Sequence, residues 1–87
     1  MTYFYRIAKI AIACDSIGIP YTVQPLYEGY AITLPKGADI AAHDGTYGAA
    51  NGRVESYCCP WDNDDVTMLT IEEAIERLTE WKAYFLS

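Results

Sequence analysis

The segment 70–87 carries the pattern that most restricts what this chain can fold into. Thr70 and Glu73 have the spacing of a capping box, in which the hydroxyl accepts from an N–H of the first turn and the carboxylate accepts from the N–H of the cap. The apolar residues of the segment recur at helical spacing, at Ile71, Ala74, Ile75, Leu78, Trp81 and Phe85. The segment therefore predicts an amphipathic helix that needs an apolar surface to pack against.

A second amphipathic pattern lies near the start of the chain. Its broad apolar face is formed by Tyr3, Ile7, Ile10, Cys14 and Ile17. Gly18 favours the left-handed conformation that ends helices, and Pro20 cannot continue one. The sequence thus predicts a helix over 2–17.

The residues between the two helices have the alternation and the composition of β-strands. Strands are predicted at 21–24, 30–34 and 53–58, with a further, alanine-rich strand at 38–43. Pro25 lacks an N–H donor, so the first strand is expected to lie at an edge of the sheet or to end there.

The remaining segments read as connections. The glycine-rich segment 45–52 is predicted to be a loop, 62–65 an acidic turn and 66–69 a short extended link. A length of 87 residues suits one domain with a single core. We therefore expect one α+β domain over 1–87 in the order helix, three or four antiparallel strands, helix, with both helices packed on one face of the sheet.

Most of the net charge of −6 lies in the last part of the chain. Residues 1–61 carry five acids and four bases, while residues 62–87 carry seven acids and two bases, so the second part contributes −5. Direct binding to nucleic acid depends on Lys and Arg that neutralise phosphates, so an acidic chain is poorly suited to it. The charge favours a basic protein as partner.

Three glutamates of the C-terminal helix are spaced by four residues, at Glu72, Glu76 and Glu80. A rise of 1.5 Å per residue separates their levels by about 6 Å, close to the roughly 6–7 Å between alternate phosphate levels of a duplex strand. The row is either a solvated helix face or a contact surface for a basic partner. Arg77 is expected to pair with Glu73 and to reduce the negative charge only in part.

The acidic turn would extend this surface, and an aromatic side chain in the glycine-rich segment is a candidate exposed anchor. The residues expected to bind a partner are Asp62, Asp64, Asp65, Glu72, Glu76, Glu80 and Tyr47.

No pattern of residues supports catalysis or a cofactor. His43 and Cys58-Cys59 supply the residue types of a thiol nucleophile without a local signature around them, and their spacing does not fit a zinc site. The turn at 62–65 lacks the glycine of a calcium loop, since Thr67 occupies the sixth position. We therefore predict no catalytic residue, no metal ligand and no cofactor, and a small thiol or metal enzyme stays an alternative.

The cellular location follows from two sequence features. The longest apolar stretch is the short run from Ile10 to Cys14, so no membrane helix is expected. Three cysteines, two of them adjacent, do not form a disulfide framework, which favours a reducing cytoplasm.

In overall character the chain is similar to small acidic accessory proteins of bacteriophages and mobile elements, including the anti-CRISPR inhibitors. The similar features are the short length, the run Asp62-Asn63-Asp64-Asp65 and the row of three glutamates. The resemblance implies a non-enzymatic inhibitor that mimics nucleic acid and occupies a basic surface, such as that of a CRISPR effector. The acidic balance and the lack of a long apolar run predict no direct contact with nucleic acid or membrane. The alternative is a structural domain that forms a homodimer through sheet edges or helix faces.

Overall fold

The computed structural model describes residues 2–43, 51–63 and 65–87. In chain order the elements are α1 (Tyr3–Ile17), β1 (Thr22–Leu26), β2 (Gly29–Thr33), a 3₁₀ turn (Pro35–Gly37), β3 (Asp39–Ala42), β4 (Val54–Tyr57), β5 (Thr67–Leu69), α2 (Ile71–Glu80) and α3 (Lys82–Leu86). The predicted α+β class and the order helix, antiparallel strands, helix are confirmed.

The strands form one antiparallel sheet in the order β1-β2-β3-β4-β5. β5 was expected only as an extended link, because three residues are too few for a recognisable alternation. It pairs with β4 through Val54 opposite Leu69 and Ser56 opposite Thr67. The fifth strand pairs with the backbone N–H and C=O groups on the side of β4 that faces away from β3. The sequence predicted no strand partner for these groups.

Both longer helices lie on one face of the sheet, as predicted. α1 packs over β2 and β3, and α2 packs against α1 and β5. The core between these layers includes Ile7, Ile10, Cys14, Ile32, Ile40, Val54, Leu69, Ala74 and Leu78. β1, at the edge of the sheet, has four exposed residues in a row before Leu26.

The ends of α1 follow the local signals in the sequence. The Thr2 hydroxyl accepts from the N–H of Tyr5 at 3.1 Å, and Gly18 has a φ of 96° and donates to the carbonyl of Cys14 at 2.8 Å. The buried Arg6 side chain donates to the carbonyl oxygen of Arg53 at 3.1 Å. This contact attaches the helix to the segment that leads into β4.

The C-terminal helix is divided in two at Trp81, where the sequence predicted one continuous face. Trp81 has φ and ψ of −103° and 19°, outside the helical range. The break turns α3 so that Phe85 is buried with its ring 6.1 Å from that of Trp61. Trp81 itself is exposed, although its spacing places it with the core residues.

Among the residues described, no helix combines the length and the apolar character needed to cross a membrane.

Candidate functional site

The acidic row predicted on the C-terminal helix lies on the outer side of α2. Glu72, Glu76 and Glu80 are exposed, and the side chains of the last two are 70% and 55% accessible to solvent. Ile71, Ala74 and Leu78 are buried on the opposite side of the helix. The core thus holds the helix in place, and the carboxylates of the row are accessible to a partner from solution.

Arg77 lies between two members of the row. Its Nη1 atom is 3.7 Å from Glu76 Oε1 and 3.6 Å from Glu80 Oε1. The sequence predicted a pair with Glu73, which instead lies 3.7 Å from Arg53. Exposed pairs of this kind contribute little to stability, but they lower the negative charge at the C-terminal end of the row.

Glu73 belongs to the helix cap. The N–H of Thr70 donates to Glu73 Oε1 at 2.9 Å, and the N–H of Glu73 donates to the Thr70 hydroxyl at 3.1 Å. The backbone hydrogen bond lowers the pKa of Glu73, and the nearby Arg53 and Arg77 lower it further. The predicted capping box is confirmed, and the main role of Glu73 is to cap the N-terminus of α2.

Asp62 lies inside the protein, which differs from its expected place on the acidic surface. Its side chain accepts from the Ser56 hydroxyl at 2.6 Å and from the N–H of Cys59 at 2.8 Å, and the residue is 5% exposed. The Trp61 indole N–H donates to the same Ser56 oxygen at 2.8 Å. Buried polar groups need such partners, so Asp62 organises the segment between β4 and β5 and contributes nothing to an exposed surface.

Asp65 is exposed, and its carboxylate accepts from the N–H of Val66 at 2.8 Å. Two other predicted binding residues, Asp64 and Tyr47, lie outside the described residues, as does most of the predicted loop at 45–52. Of the predicted binding residues that the structure describes, the exposed ones are therefore Asp65 and the three glutamates of the row.

A cleft of about 660 Å³ lies beside the turn between β4 and β5. Its lining includes Tyr57, Cys58, Cys59, Asp62 and Asp65. Cys58 is exposed, while burial and the nearby Asp62 raise the pKa of the Cys59 thiol far above its usual range. A raised pKa opposes formation of the nucleophilic thiolate.

The histidine and the adjacent cysteines do not meet. Cys59 Sγ lies 3.7 Å from the carbonyl oxygen of Asp39, at the start of β3. His43 follows the end of that strand, four residues further along, which corresponds to about 13 Å of extended chain. His43 is buried, and its ring is 5.1 Å from that of Tyr27. The arrangement required for a cysteine–histidine nucleophile is therefore not assembled here.

In the described ranges, no group of three or more His, Cys, Asp or Glu side chains converges on a point where a metal ion could bind. Comparison of the chain with protein-family models, with curated proteins and with solved structures finds no match in any of the three.

Sequence reasoning missed the network around Asp62. Ser56, Trp61 and Asp62 are close in sequence, and the acidic residues of the turn do not by themselves indicate that one carboxylate is internal. The signal available was Trp61, since a large aromatic residue within a polar turn tends to be buried with its N–H bonded.

Proposed function

We propose that this protein is a non-enzymatic interaction module that binds a basic surface of a nucleic-acid-binding protein through the acidic face of α2. The observation that carries the proposal is the exposed row Glu72, Glu76 and Glu80 on a helix whose other side is held by the core. By occupying the basic surface, the module excludes the nucleic acid. CRISPR effectors are the partner class that its overall character suggests.

The spacing of the row suits a surface that has evolved to hold phosphates. Successive glutamates are about 6 Å apart along the helix, and the basic side chains of a nucleic-acid groove follow phosphates at similar intervals. The helix backbone is already ordered, so only the glutamate side chains lose conformational freedom on binding, which favours affinity over a disordered acidic segment. The ammonium or guanidinium groups of the partner also compete with Arg77 for Glu76 and Glu80.

The cytoplasm is the compartment we propose, because it holds such partners. The three cysteines are free thiols, and two of them are buried. Free thiols persist in a reducing environment.

The test is displacement of a fluorescent DNA duplex from a purified CRISPR effector, with the effector first identified by affinity capture from the host. We expect substitution of all three glutamates of the row by glutamine to raise the half-inhibitory concentration at least tenfold. The matched control neutralises two exposed acids away from α2, Asp15→Asn together with Glu28→Gln, and is expected to change the concentration less than twofold. Circular dichroism establishes that both variants are folded.

Salt dependence provides a second readout of the same contact. The Debye length falls from about 10 Å at 0.1 M to about 3 Å at 1 M ionic strength, so direct binding of the protein to the effector, measured without DNA, should weaken steeply as salt is added. Equal inhibition by the triple variant and the wild type would show that the row is only a solvated helix face.

A further inference from the structure

A second surface, distinct from the acidic face of α2, lies where α1 leaves the first strand of the sheet uncovered. Val23 pairs with the buried Ile32, and Pro25 pairs with Tyr30, so both side chains lie on the side of the sheet that carries the helices. α1 packs over β2 and β3, and Val23 remains 42% exposed. We call the floor that Val23 and Pro25 form the β1 strip.

Contacts between α1 and the sheet bound the β1 strip at both ends. The Phe4 ring meets the Tyr30 ring edge to face with 5.5 Å between the ring centres, and Phe4 is 60% exposed. At the other end the Tyr21 hydroxyl donates to Asp15 Oδ2 at 3.0 Å. The β1 strip is thus an apolar floor with an aromatic side chain at each end.

The backbone edge beside the strip has the groups needed to bind a further strand. β1 is the first strand of the sheet, and no described strand pairs with its outer edge. The hairpin joins Leu26 to Gly29 through two residues, so that pair is hydrogen-bonded and the pairs alternate along β1. The N–H and C=O of Val23 and the C=O of Pro25 therefore point away from β2. An added strand would bond to these three groups, and the missing N–H of Pro25 limits pairing only at the hairpin end.

The two sides of β1 differ in polarity, which sets the residue pattern of an added strand. Thr22 and Gln24 lie on the side away from the helices, where Gln24 Nε2 donates to Thr33 Oγ1 at 3.3 Å. The side chains of an added strand would alternate between the same two sides. A fitting segment therefore has apolar side chains at alternate positions, over the β1 strip, and polar side chains between them.

An acid lies at each end of the β1 edge. Asp15 is bonded to Tyr21 just before the strand, and the exposed Glu28 lies in the turn that follows it. Lys9 and Lys36 lie elsewhere, and each has its ammonium group over a tyrosine ring outside the strip. The two ends of the edge therefore attract Lys or Arg side chains of an added segment.

A second copy of this chain suits the edge less well. In an antiparallel pair of β1 strands centred on Val23, opposite ends of the two edges meet, so Asp15 of each copy would approach Glu28 of the other. The apolar area is also small for a dimer. Phe4 offers about 120 Å² if a fully exposed aromatic side chain offers about 200 Å², whereas each side of a stable interface buries about 800 Å².

We propose that an extended segment of a partner protein adds to the edge of β1, with apolar side chains at alternate positions over the β1 strip and Lys or Arg at its ends. In such a contact the backbone hydrogen bonds provide affinity, and the alternating side chains provide specificity. The proposal goes beyond the proposed function and does not rest on it, because it uses neither the glutamates of α2 nor a nucleic-acid-binding partner.

Amide hydrogen exchange of the ¹⁵N-labelled full chain tests the proposal, with a synthetic peptide as the probe. The peptide alternates three valines with two threonines, has a lysine at each end, and is acetylated and amidated at its termini. At millimolar peptide we expect exchange of the Val23 N–H to slow at least fivefold, because this N–H points away from β2 and becomes hydrogen-bonded in the complex. The control peptide is methylated at the nitrogen of its central valine, which removes one donor at unchanged charge, and should slow the exchange less than twofold.

Phe4→Ala and Ile12→Ala form a matched pair of variants, since the two side chains are 60% and 62% exposed and Ile12 lies on the side of α1 that faces away from the sheet. Amide shift titration with the peptide gives the dissociation constant. Phe4→Ala should raise it at least threefold, because the change removes one end of the strip, and Ile12→Ala should change it less than twofold. Glutamate in place of both peptide lysines should raise it at least threefold.

Four results would overturn the proposal. Three of them are unchanged exchange of the Val23 N–H at millimolar peptide, equal binding of the methylated peptide, and equal losses for Phe4→Ala and Ile12→Ala. The fourth is protection of the Val23 N–H that rises with protein concentration in the absence of peptide, since the occupant of the edge would then be a second copy of this chain.

Discussion

Asp62→Ala should unfold this protein far more easily than any other single substitution in its acidic segment. The change removes a carboxylate that accepts from the Ser56 hydroxyl at 2.6 Å and from the Cys59 N–H at 2.8 Å. Ser56 keeps the carbonyl oxygen of Thr67 as a long alternative acceptor at 3.5 Å. The Cys59 N–H loses the one acceptor described for it in a place that is closed to solvent.

The expected loss in the free energy of unfolding follows from these hydrogen bonds. A hydrogen bond to a charged group contributes about 1.5–3 kcal/mol, and an unsatisfied buried donor costs about 1–3 kcal/mol. Removal of a buried charge offsets part of the loss, so we expect a decrease of about 3 kcal/mol in the free energy of unfolding. A domain of this size has about 4–13 kcal/mol in total. Asp62→Asn keeps an acceptor for one donor and should cost about 1 kcal/mol.

The assay is urea unfolding followed by tryptophan fluorescence and far-ultraviolet circular dichroism, with Asp65→Ala as the control. For a small domain with a slope near 1 kcal/mol per molar urea, a loss of 3 kcal/mol lowers the midpoint by about 3 M. Asp65 is exposed, so its substitution should change stability by less than about 0.5 kcal/mol. A loss below 1 kcal/mol for Asp62→Ala, or equal losses for both variants, would refute the internal role of Asp62.

Three further outcomes follow from single contacts. Gly29→Ala should cost several kcal/mol in thermal or urea unfolding, because an added Cβ would overlap the carbonyl oxygen of Ala42. Native protein treated with iodoacetamide should be alkylated first at Cys58, as judged by peptide mass spectrometry, since Cys59 is buried with a raised pKa. The pKa of Glu73 is lowered in the folded state, so its stabilising contribution should be present above its unfolded pKa near 4.5 and lost as the pH falls through the lower folded value, which an acid titration of α2 helicity measures.

The sequence predicted the starts and ends of the helices well where they are fixed by contacts between residues that are close along the chain. The capping box at Thr70 and the left-handed Gly18 are decided within a few residues, and both are formed. The fifth strand could not be predicted in this way. Thr67–Leu69 becomes a strand only because β4 offers it a partner, and that pairing depends on how the intervening turn folds back.

In the candidate site, too, contacts outside the local sequence decide the outcome. Charge counting placed Asp62 and Asp65 in one acidic turn, yet one carboxylate is internal and the other is exposed. Burial depends on Ser56 and Trp61 meeting that turn. The row on α2 was predictable because a helix fixes which positions share a side.

Salt tests whether the proposed contact through the row of glutamates depends on charge. Binding of a basic partner through the row would be an attraction between opposite charges, which weakens as ions screen it. Contact through apolar side chains is not screened by ions in this way. Added salt should therefore release the partner from the wild type, while the variant with all three glutamates replaced by glutamine should bind weakly at every salt concentration. Partner binding that persists unchanged at high salt would mean that the contact does not depend on charge, and the argument from the row of glutamates would fail.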